Sequence, residues 1–226
     1  MIREKQSTET TPKTFTTAAP ETATKIEYDI ARVRAMVEAK VKAAYDQALE
    51  MPRQEVAEPY LWWDLYAFGP FQLMAPNGPL DPNQVIKVGE DAYIATVLVL
   101  NPLPILPPAP GISPLELLSN FSLPFEVQYQ TGNLTSWTPG QPNTVQGSNL
   151  IPHQGIYVDV VHFVATTPGL MEMNISARIM GNPPNANAPH FAGFARYVFD
   201  FDPELFWLSP TPGFQFDQPV KYLVYP

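Results

Sequence analysis

The stretch from Ile156 to Ile179, IYVDVVHFVATTPGLMEMNISARI, constrains the fold more than any other part of this chain. Its first part, Ile156 to Ala165, is almost entirely apolar and β-branched, which predicts a strand buried on both faces. Its second part, Met171 to Ile179, alternates apolar and polar residues, as a strand with one buried face does. Between them, Pro168-Gly169 fits a type II turn, which splays its flanking strands. We therefore predict a corner where the chain passes from one β-sheet to another.

Further short strands are predicted on either side of this stretch, separated by turns that contain proline or glycine. They cover residues 84–88, 92–100, 125–132, 134–138, 191–201 and 220–225. Residues 139–149 have the composition of a polar loop. The 27 prolines disfavour helix in this part of the chain. The pattern predicts a mainly-β fold with a single β-sandwich, either immunoglobulin-like or a jelly roll.

A long amphipathic helix is predicted before the strands, over residues 24–51. Thr24 and Glu27 fit a capping box, and Pro52 follows the last turn. Apolar residues recur every three or four positions, at Ile26, Ile30, Val33, Val37, Val41, Ala44 and Ala48. The opposite face carries Asp29, Arg32, Glu38, Lys42 and Asp46. The narrow apolar stripe either packs on the chain's own body or docks on a partner or a second copy, and Ile30, Val33, Val37 and Val41 are its candidate interaction residues.

The chain divides by composition into four parts. Residues 1–23 are rich in Thr, Pro and Ala and predict a disordered leader with no signal-peptide core. The helix of residues 24–51 leads into an aromatic and proline-rich junction, residues 52–83, and then into the sandwich of residues 84–226. In the junction, Tyr60, Trp62 and Trp63 form either a docking patch or a seal at the end of the domain.

The charge balance limits the partners. The chain has a net charge of −9, and residues 59–226 hold four basic side chains against twelve acidic ones. Such a body lacks the basic stripe that binds phosphates, so we expect no nucleic acid partner. No apolar run is long enough to span a membrane, and without a signal peptide we expect a cytoplasmic protein. The absence of cysteine excludes disulfides and thiolate chemistry.

No catalytic motif is found. The histidines, at positions 153, 162 and 190, lack metal-binding spacing, and the sequence contains neither a nucleophile elbow nor a phosphate-binding loop. Asp159 and His162 are three apart on one strand, so they face opposite sides of it. The sequence therefore predicts a protein that is not an enzyme and needs no cofactor.

The sequence offers two weaker candidate ligand sites. Asp200, Asp202 and Glu204 share a face if the strand continues through them, and three carboxylates there are a weak candidate for Ca²⁺. The alternative is a charged strand face that prevents edge-to-edge pairing. Trp137, beside a polar loop, is a candidate for stacking on a sugar ring.

The proline-rich loop, residues 101–114, either crosses between sheets or is itself a ligand for a proline-binding groove.

Two segments resemble bacterial immunoglobulin-like domains. Lys87 to Asp91, running into the strand Ala92–Leu100 and Asn101, resembles an early strand pair of that family. Thr167-Pro168-Gly169-Leu170, leading into Glu172–Ile179, resembles a late corner followed by a strand. The tryptophan and the cysteine pair of antibody domains are missing. The resemblance implies binding, adhesion or assembly. The expected function is a structural or protein-interaction protein whose helix docks or self-associates, and the alternative is a carbohydrate- or ligand-binding module.

Overall fold

Two β-sheets and a long helix account for most of the described residues. The structure is a computed structural model, and it describes residues 20–50, 62–72, 82–102, 113–180, 191–198 and 219–226. The helices are α1 (Pro20–Glu50) and α2 (Pro114–Asn120). The strands are β1 (Trp63–Phe71), β2 (Val85–Lys87), β3 (Asp91–Leu100), β4 (Pro124–Asn133), β5 (Thr138–Asn149), β6 (Ile156–Val164), β7 (Gly169–Ile179), β8 (Phe191–Phe194), β9 (Arg196–Tyr197) and β10 (Val220–Tyr225).

The strands form a four-stranded and a six-stranded sheet. The four-stranded sheet has the order β6-β3-β1-β9. In the six-stranded sheet the order is β2-β10-β7-β4-β5, and β8 also pairs with β7. Most pairs are antiparallel, whereas β1 with β9 and β2 with β10 are parallel. This arrangement confirms the predicted mainly-β sandwich with an N-terminal helix.

The helix α1 adds a third layer on the outer face of the four-stranded sheet. On β3, Ile94 and Leu98 belong to the core between the two sheets, whereas Tyr93 and Val97 belong to a second core beneath α1. A strand covered on both faces must be apolar at nearly every position. This explains the continuous apolar sequence of β3, and β6 is covered on both faces in the same way.

The predicted corner between the sheets is confirmed, since β6 ends in the four-stranded sheet and β7 begins in the six-stranded one. Gly169 opens β7 with φ of 141°, and a Cβ there would lie 2.6 Å from Oδ1 of Asn133. The side-chain amide N–H of the buried Asn133 donates a hydrogen bond to the carbonyl of Pro168 at 3.0 Å. Its Oδ1 atom accepts hydrogen bonds from the backbone N–H groups of Thr135 and Ser136. The corner therefore depends on a glycine beside a buried, hydrogen-bonded asparagine.

One strand prediction and one loop prediction are wrong around the connection between β4 and β5. Residues 134–137 form a turn instead of a strand, and the predicted polar loop, residues 139–149, is part of β5. Because β5 is the last strand of its sheet and largely exposed, its side chains show no apolar alternation. It is held by its backbone pairing with β4, which side-chain periodicity does not reveal.

Other boundaries also change. The helix α1 begins at Pro20, so Thr24 lies inside it and is not its N-cap. The buried strand β1 is an inner strand of the four-stranded sheet, so the sandwich includes residues that we assigned to the junction. Within the described part of the predicted strand 191–201, residues 191–198, the chain forms β8 and β9, which lie in different sheets. Residues 1–19, most of the proline-rich loop, and the calcium candidates Asp200, Asp202 and Glu204 lie outside the described residues.

Candidate functional site

The apolar stripe of α1 is already covered by the chain's own sheet. Val33, Val37 and Val41 are at most 2% exposed, and they pack with residues of β3 and β6. Ile30 is partly buried against the same core. Of the two alternatives for this stripe, the structure shows packing on the chain's own sheet, and docking of these side chains on a partner stays an untested prediction. Burying a valine side chain contributes about 1.5–3 kcal/mol, so the stripe fastens the helix to the sheet.

The N-terminal half of α1 is also fastened by a polar cluster. Asp29, predicted on the solvated face, is only 3% exposed and accepts a hydrogen bond from the phenol of Tyr93 at 3.1 Å. Lys25 lies 3.6 Å from Asp29 and 3.5 Å from Asp91. The Nε2 atom of His162 is 2.7 Å from the carboxylate of Asp91. These groups line or adjoin a cleft of about 420 Å³.

Three of these contacts join neighbouring elements: Tyr93 with Asp29 and Lys25 with Asp91 join β3 to α1, and His162 with Asp91 joins β6 to β3. Burial and the adjacent Asp29 carboxylate raise the pKa of the Tyr93 phenol above its ordinary value. Tyr93 therefore stays protonated and donates to Asp29 at neutral pH. In this cluster His162 has a structural role, because its ring pairs with Asp91. The side chain of His162 lies on one side of β6, and that of Asp159 lies on the other, where it contacts Tyr129.

Asp159 belongs to a second polar network between the sheets. The phenol of Tyr129 donates to Asp159 at 3.0 Å and lies 2.7 Å from Oγ1 of Thr96. Arg34 of α1 approaches Asp159 at 3.9 Å. Burial, followed by the Asp159 charge, raises the pKa of the Tyr129 phenol well above its ordinary value. Arg34, Thr96 and Asp159 of this network line a cleft of about 340 Å³ between the edge strands β5 and β6, which Tyr157 and Gln146 also line.

The tryptophans of the predicted aromatic patch pack on the protein's own core. Trp62 and Trp63 are partly buried against the core between the sheets, and the ring of Trp63 covers Gly193. Nearby, the buried carboxylate of Asp64 pairs with Arg196 at 3.0 Å. This favours the alternative in which the segment seals the domain. Tyr60 lies outside the described residues.

Trp137, the predicted ligand residue, is strongly exposed. It lies in the turn between β4 and β5 with φ of 56°, and 87% of its surface is open to solvent. Its backbone N–H donates to the carbonyl of Asn133 at 2.8 Å, which fixes the turn that carries the indole. The structure thus confirms the exposure that the prediction requires.

Metal ligands do not converge in the described part of the chain. No group of three or more His, Asp and Glu side chains lies close enough there to hold a metal ion. His153 is exposed at a turn, with φ of 64°. The positions of His190 and of the three calcium candidates are not described.

The outer edge of β5 is the surface that sequence reasoning missed. This strand has 12 residues, none of them charged, and it is the last strand of its sheet among the described residues. Most of its side chains are exposed, and Val145 is 54% exposed. Natural edge strands are commonly protected by charges, prolines or a covering element. Here Pro139 and Pro142 protect only the first part of the strand.

The backbone of β5 alternates between its neighbour and the free edge. The N–H of Leu150 donates to the carbonyl of Leu123 at 2.9 Å, one position beyond the ladder of β4 and β5. Because hydrogen-bonded pairs alternate in antiparallel sheets, the paired backbone groups of β5 are those of every second residue from Leu150. The intervening residues turn their N–H and C=O groups outward, and these are Asn143, Val145, Gly147 and Asn149.

Comparisons with known proteins yield only distant structural similarities. No protein-family model matches the chain, nor does any curated protein sequence. A β-glucosidase from Listeria innocua, solved with gluconolactone, is 10% identical with a TM-score of 0.32; the match covers 60% of this chain and 16% of that one. A family 123 glycoside hydrolase from Clostridium perfringens is 9% identical with a TM-score of 0.32, over 62% and 28% of the two chains.

A third match is the CARDB domain of a Pyrococcus furiosus protein, solved with two metal ions. It is 12% identical with a TM-score of 0.30, over 66% of this chain and all of that domain. This chain therefore spans a small fraction of the two hydrolases and the full length of the CARDB domain. All three TM-scores are below 0.5, so we take neither activity nor ligand from them. None of the described helices is long and apolar enough to cross a membrane.

Proposed function

We propose that this protein is a non-enzymatic interaction module that binds an extended segment along the free edge of β5. The observation that carries the proposal is the uncharged stretch Asn143 to Asn149, whose alternate backbone groups have no strand partner among the described residues. A strand added to such an edge gains main-chain hydrogen bonds, and neighbouring side chains select it. The proposal keeps the predicted interaction function but moves it from α1 to β5.

The charge distribution supports this choice of surface. The chain carries a net charge of −9, yet β5 has no ionised side chain. Elsewhere on the same sheet, Arg178 pairs with Glu126 and Lys221 approaches Glu172, so charges populate the outer face. A segment that pairs with β5 meets no ionised side chain on that strand. The described polar clusters support a non-enzymatic role because their titratable groups join the helix and the strands to one another.

A labelled, uncharged peptide of alternating threonine and valine tests this proposal by fluorescence anisotropy. Binding is expected for the wild-type protein and should fall at least tenfold for Val145→Pro, which removes an outward N–H without interrupting the ladder to β4. Leu223→Ala, an exposed change on β10, is the matched control and should bind normally. A peptide with proline at alternate positions should not bind. Equal binding by Val145→Pro and wild type would reject the edge as the site.

The second candidate function is a carbohydrate-binding module, favoured by the exposed indole of Trp137. Aromatic rings with an open face are suited to stack on sugar rings. An array of neutral oligosaccharides tests this alternative. Binding that is lost in Trp137→Ala but kept in Phe121→Ala, where the ring is also exposed, would favour it. No binding to the array by the wild-type protein would exclude it for those sugars.

A further inference from the structure

We propose that the segment bound by β5 is β5 of a second copy, in an antiparallel two-fold pair centred on Gln146. This inference rests on the proposed function and names its partner. An interface of this kind is self-complementary, because each residue that contacts a second residue is contacted by it in turn. The six-stranded sheets of the two copies would then join through their β5 strands into one sheet of twelve strands.

The limits of the free edge define the centre of the pair. The regular ladder of β5 with β4 begins at Asn143, because a register shift separates this residue from the pairing at Pro139, and β5 ends at Asn149. The seven residues from 143 to 149 have Gln146 at their midpoint. A two-fold axis at Gln146 therefore lets the whole surface of one copy pair with the whole surface of the other.

The outward backbone groups agree with this register. Asn143 faces Asn149 of the second copy, and Val145 faces Gly147 of the second copy. These four residues are the ones whose N–H and C=O groups point to the free edge, so every pair among them can exchange two hydrogen bonds. Shifting the register by one residue would set outward groups against inward ones and lose these bonds.

Side chains also match across the axis. On the outer face, the exposed Val145 lies opposite Gly147, which leaves room for it. The side-chain amide of Asn143 is held by the backbone of Thr131 and Gly140 in its own chain, so this pair contributes through its backbone groups. On the other face, the hydroxyl of Thr144 meets that of Ser148, and Gln146 meets its own copy. Cross-strand pairs of this kind stabilise a sheet, whereas like charges directly opposite destabilise it.

The edge favours a second copy because it is self-complementary, and its lack of charge permits an equally acidic chain to approach it. Two chains that each carry −9 repel one another over most of their surface. The strand β5 has no ionised side chain, so pairing along it sets no charge of one β5 against the β5 of the other copy. The apolar stripe of α1, the other predicted surface for self-association, is covered by the protein's own sheet.

Light scattering on the full chain across a range of concentrations is the first test. We expect a mass of twice 25.2 kDa at high concentration. Val145→Glu, which places like charges on both sides of the axis, should restore the monomer. Asn174→Glu adds the same charge to the exposed face of the inner strand β7 and should remain dimeric. A wild-type monomer at every concentration, or a dimer that persists in Val145→Glu, overturns the inference.

A single cysteine tests the register, because the chain has none of its own. Gln146→Cys would face its own copy across a non-hydrogen-bonded pair, where Cα atoms lie about 4.5 Å apart, close enough for a disulfide. Mild oxidation should therefore crosslink Gln146→Cys within minutes. Thr144→Cys, which faces Ser148 instead of itself, is the matched control and should crosslink at least tenfold more slowly. Equal crosslinking of the two variants would contradict the register and overturn the pair.

The two proposals fail in different ways. If the chain is monomeric but binds the threonine-valine peptide through β5, the interaction module stands and the second copy is rejected. If neither the peptide nor a second copy binds at β5, both proposals are rejected.

Discussion

The phenol oxygen of Tyr93 lies 3.1 Å from the carboxylate of Asp29, and this buried hydrogen bond joins β3 to α1. Its position explains why a helix with a polar residue on the sheet side still docks there. Burying a carboxylate without partners is costly, whereas a charge-assisted hydrogen bond and the nearby Lys25 offset that cost. The helix and the sandwich are thus fastened by an apolar stripe and a polar contact together.

Removing either partner of this bond should destabilise the protein. Asp29→Ala leaves the buried Tyr93 hydroxyl without its acceptor, so we expect a loss of about 1–3 kcal/mol in the free energy of unfolding. Urea denaturation of Asp29→Ala, Tyr93→Phe and the double variant should show a coupling of about 1 kcal/mol. Asp46→Ala, which breaks an exposed pair with Lys42, is the control and should change stability by less than about 0.5 kcal/mol. Additive single effects would show that the bond contributes nothing of its own.

Introducing a charge into the apolar stripe of α1 should release the helix. Val37 lies on the face of α1 that packs on the sheet and is 2% exposed, so Val37→Asp should cost about 3 kcal/mol or more in unfolding free energy. Limited proteolysis should then cut within α1 at a faster rate. The neighbouring exposed Glu38→Asp is the control and should leave both measurements unchanged. Unchanged proteolysis of Val37→Asp would mean that the stripe does not hold the helix.

Alkaline pH should weaken the fold through its buried tyrosines. Burial raises the pKa of Tyr66, Tyr129 and Tyr222 in the folded state, in each case as the largest cause. A raised folded-state pKa contributes stability that is complete below the unfolded value, about 10, and is lost as pH rises above it. We expect the contribution of these tyrosines to the unfolding free energy to be constant from about pH 8 to 9.5 and to fall above about pH 10.

Absorbance at 295 nm checks the same point, since it reports ionised phenol. Part of the tyrosine signal should appear only with unfolding at high pH. Tyr222→Phe removes one such group, whose hydroxyl donates to the carbonyl of Gln141 at 2.8 Å, and should reduce the delayed signal by one phenol. If all tyrosines titrated before unfolding, the buried phenols would be accessible and the argument would fail.

The corner between the sheets should not tolerate a side chain at Gly169. Gly169→Ala combines an unfavourable φ of 141° with a contact of 2.6 Å to Asn133, so we expect a loss of about 2–4 kcal/mol. Gly89→Ala is the matched control: its φ of 89° is also positive, but nothing lies within 4 Å of the added Cβ. It should lose only about 1–2 kcal/mol, the cost of the backbone conformation. Thermal or urea unfolding of the two variants measures the difference, and equal losses would rule out the contact with Asn133.

The spacing of apolar side chains was sufficient to predict the elements with buried faces. The alternation of Met171 to Ile179 predicted β7, and the apolar run of Ile156 to Ala165 predicted a strand covered on both faces. The turn at Pro168-Gly169 placed the passage between sheets correctly. The 3–4 spacing from Val33 to Val41 likewise predicted a helix with one buried stripe. These patterns were readable because each follows from the local geometry of a strand or a helix.

What lay against each element was decided only by tertiary structure. The same stripe on α1 suits a partner or the chain's own sheet, and the choice depends on the second apolar face of β3, which is distant in sequence. Asp29 belongs to the charged face of the predicted helix, yet in the fold it is buried and accepts a hydrogen bond from Tyr93. The edge strand β5 has no apolar alternation because it is exposed, so its backbone pairing with β4 alone makes it a strand. Periodicity records which side chains are buried, whereas the tertiary fold determines what covers them and which backbone edge remains open.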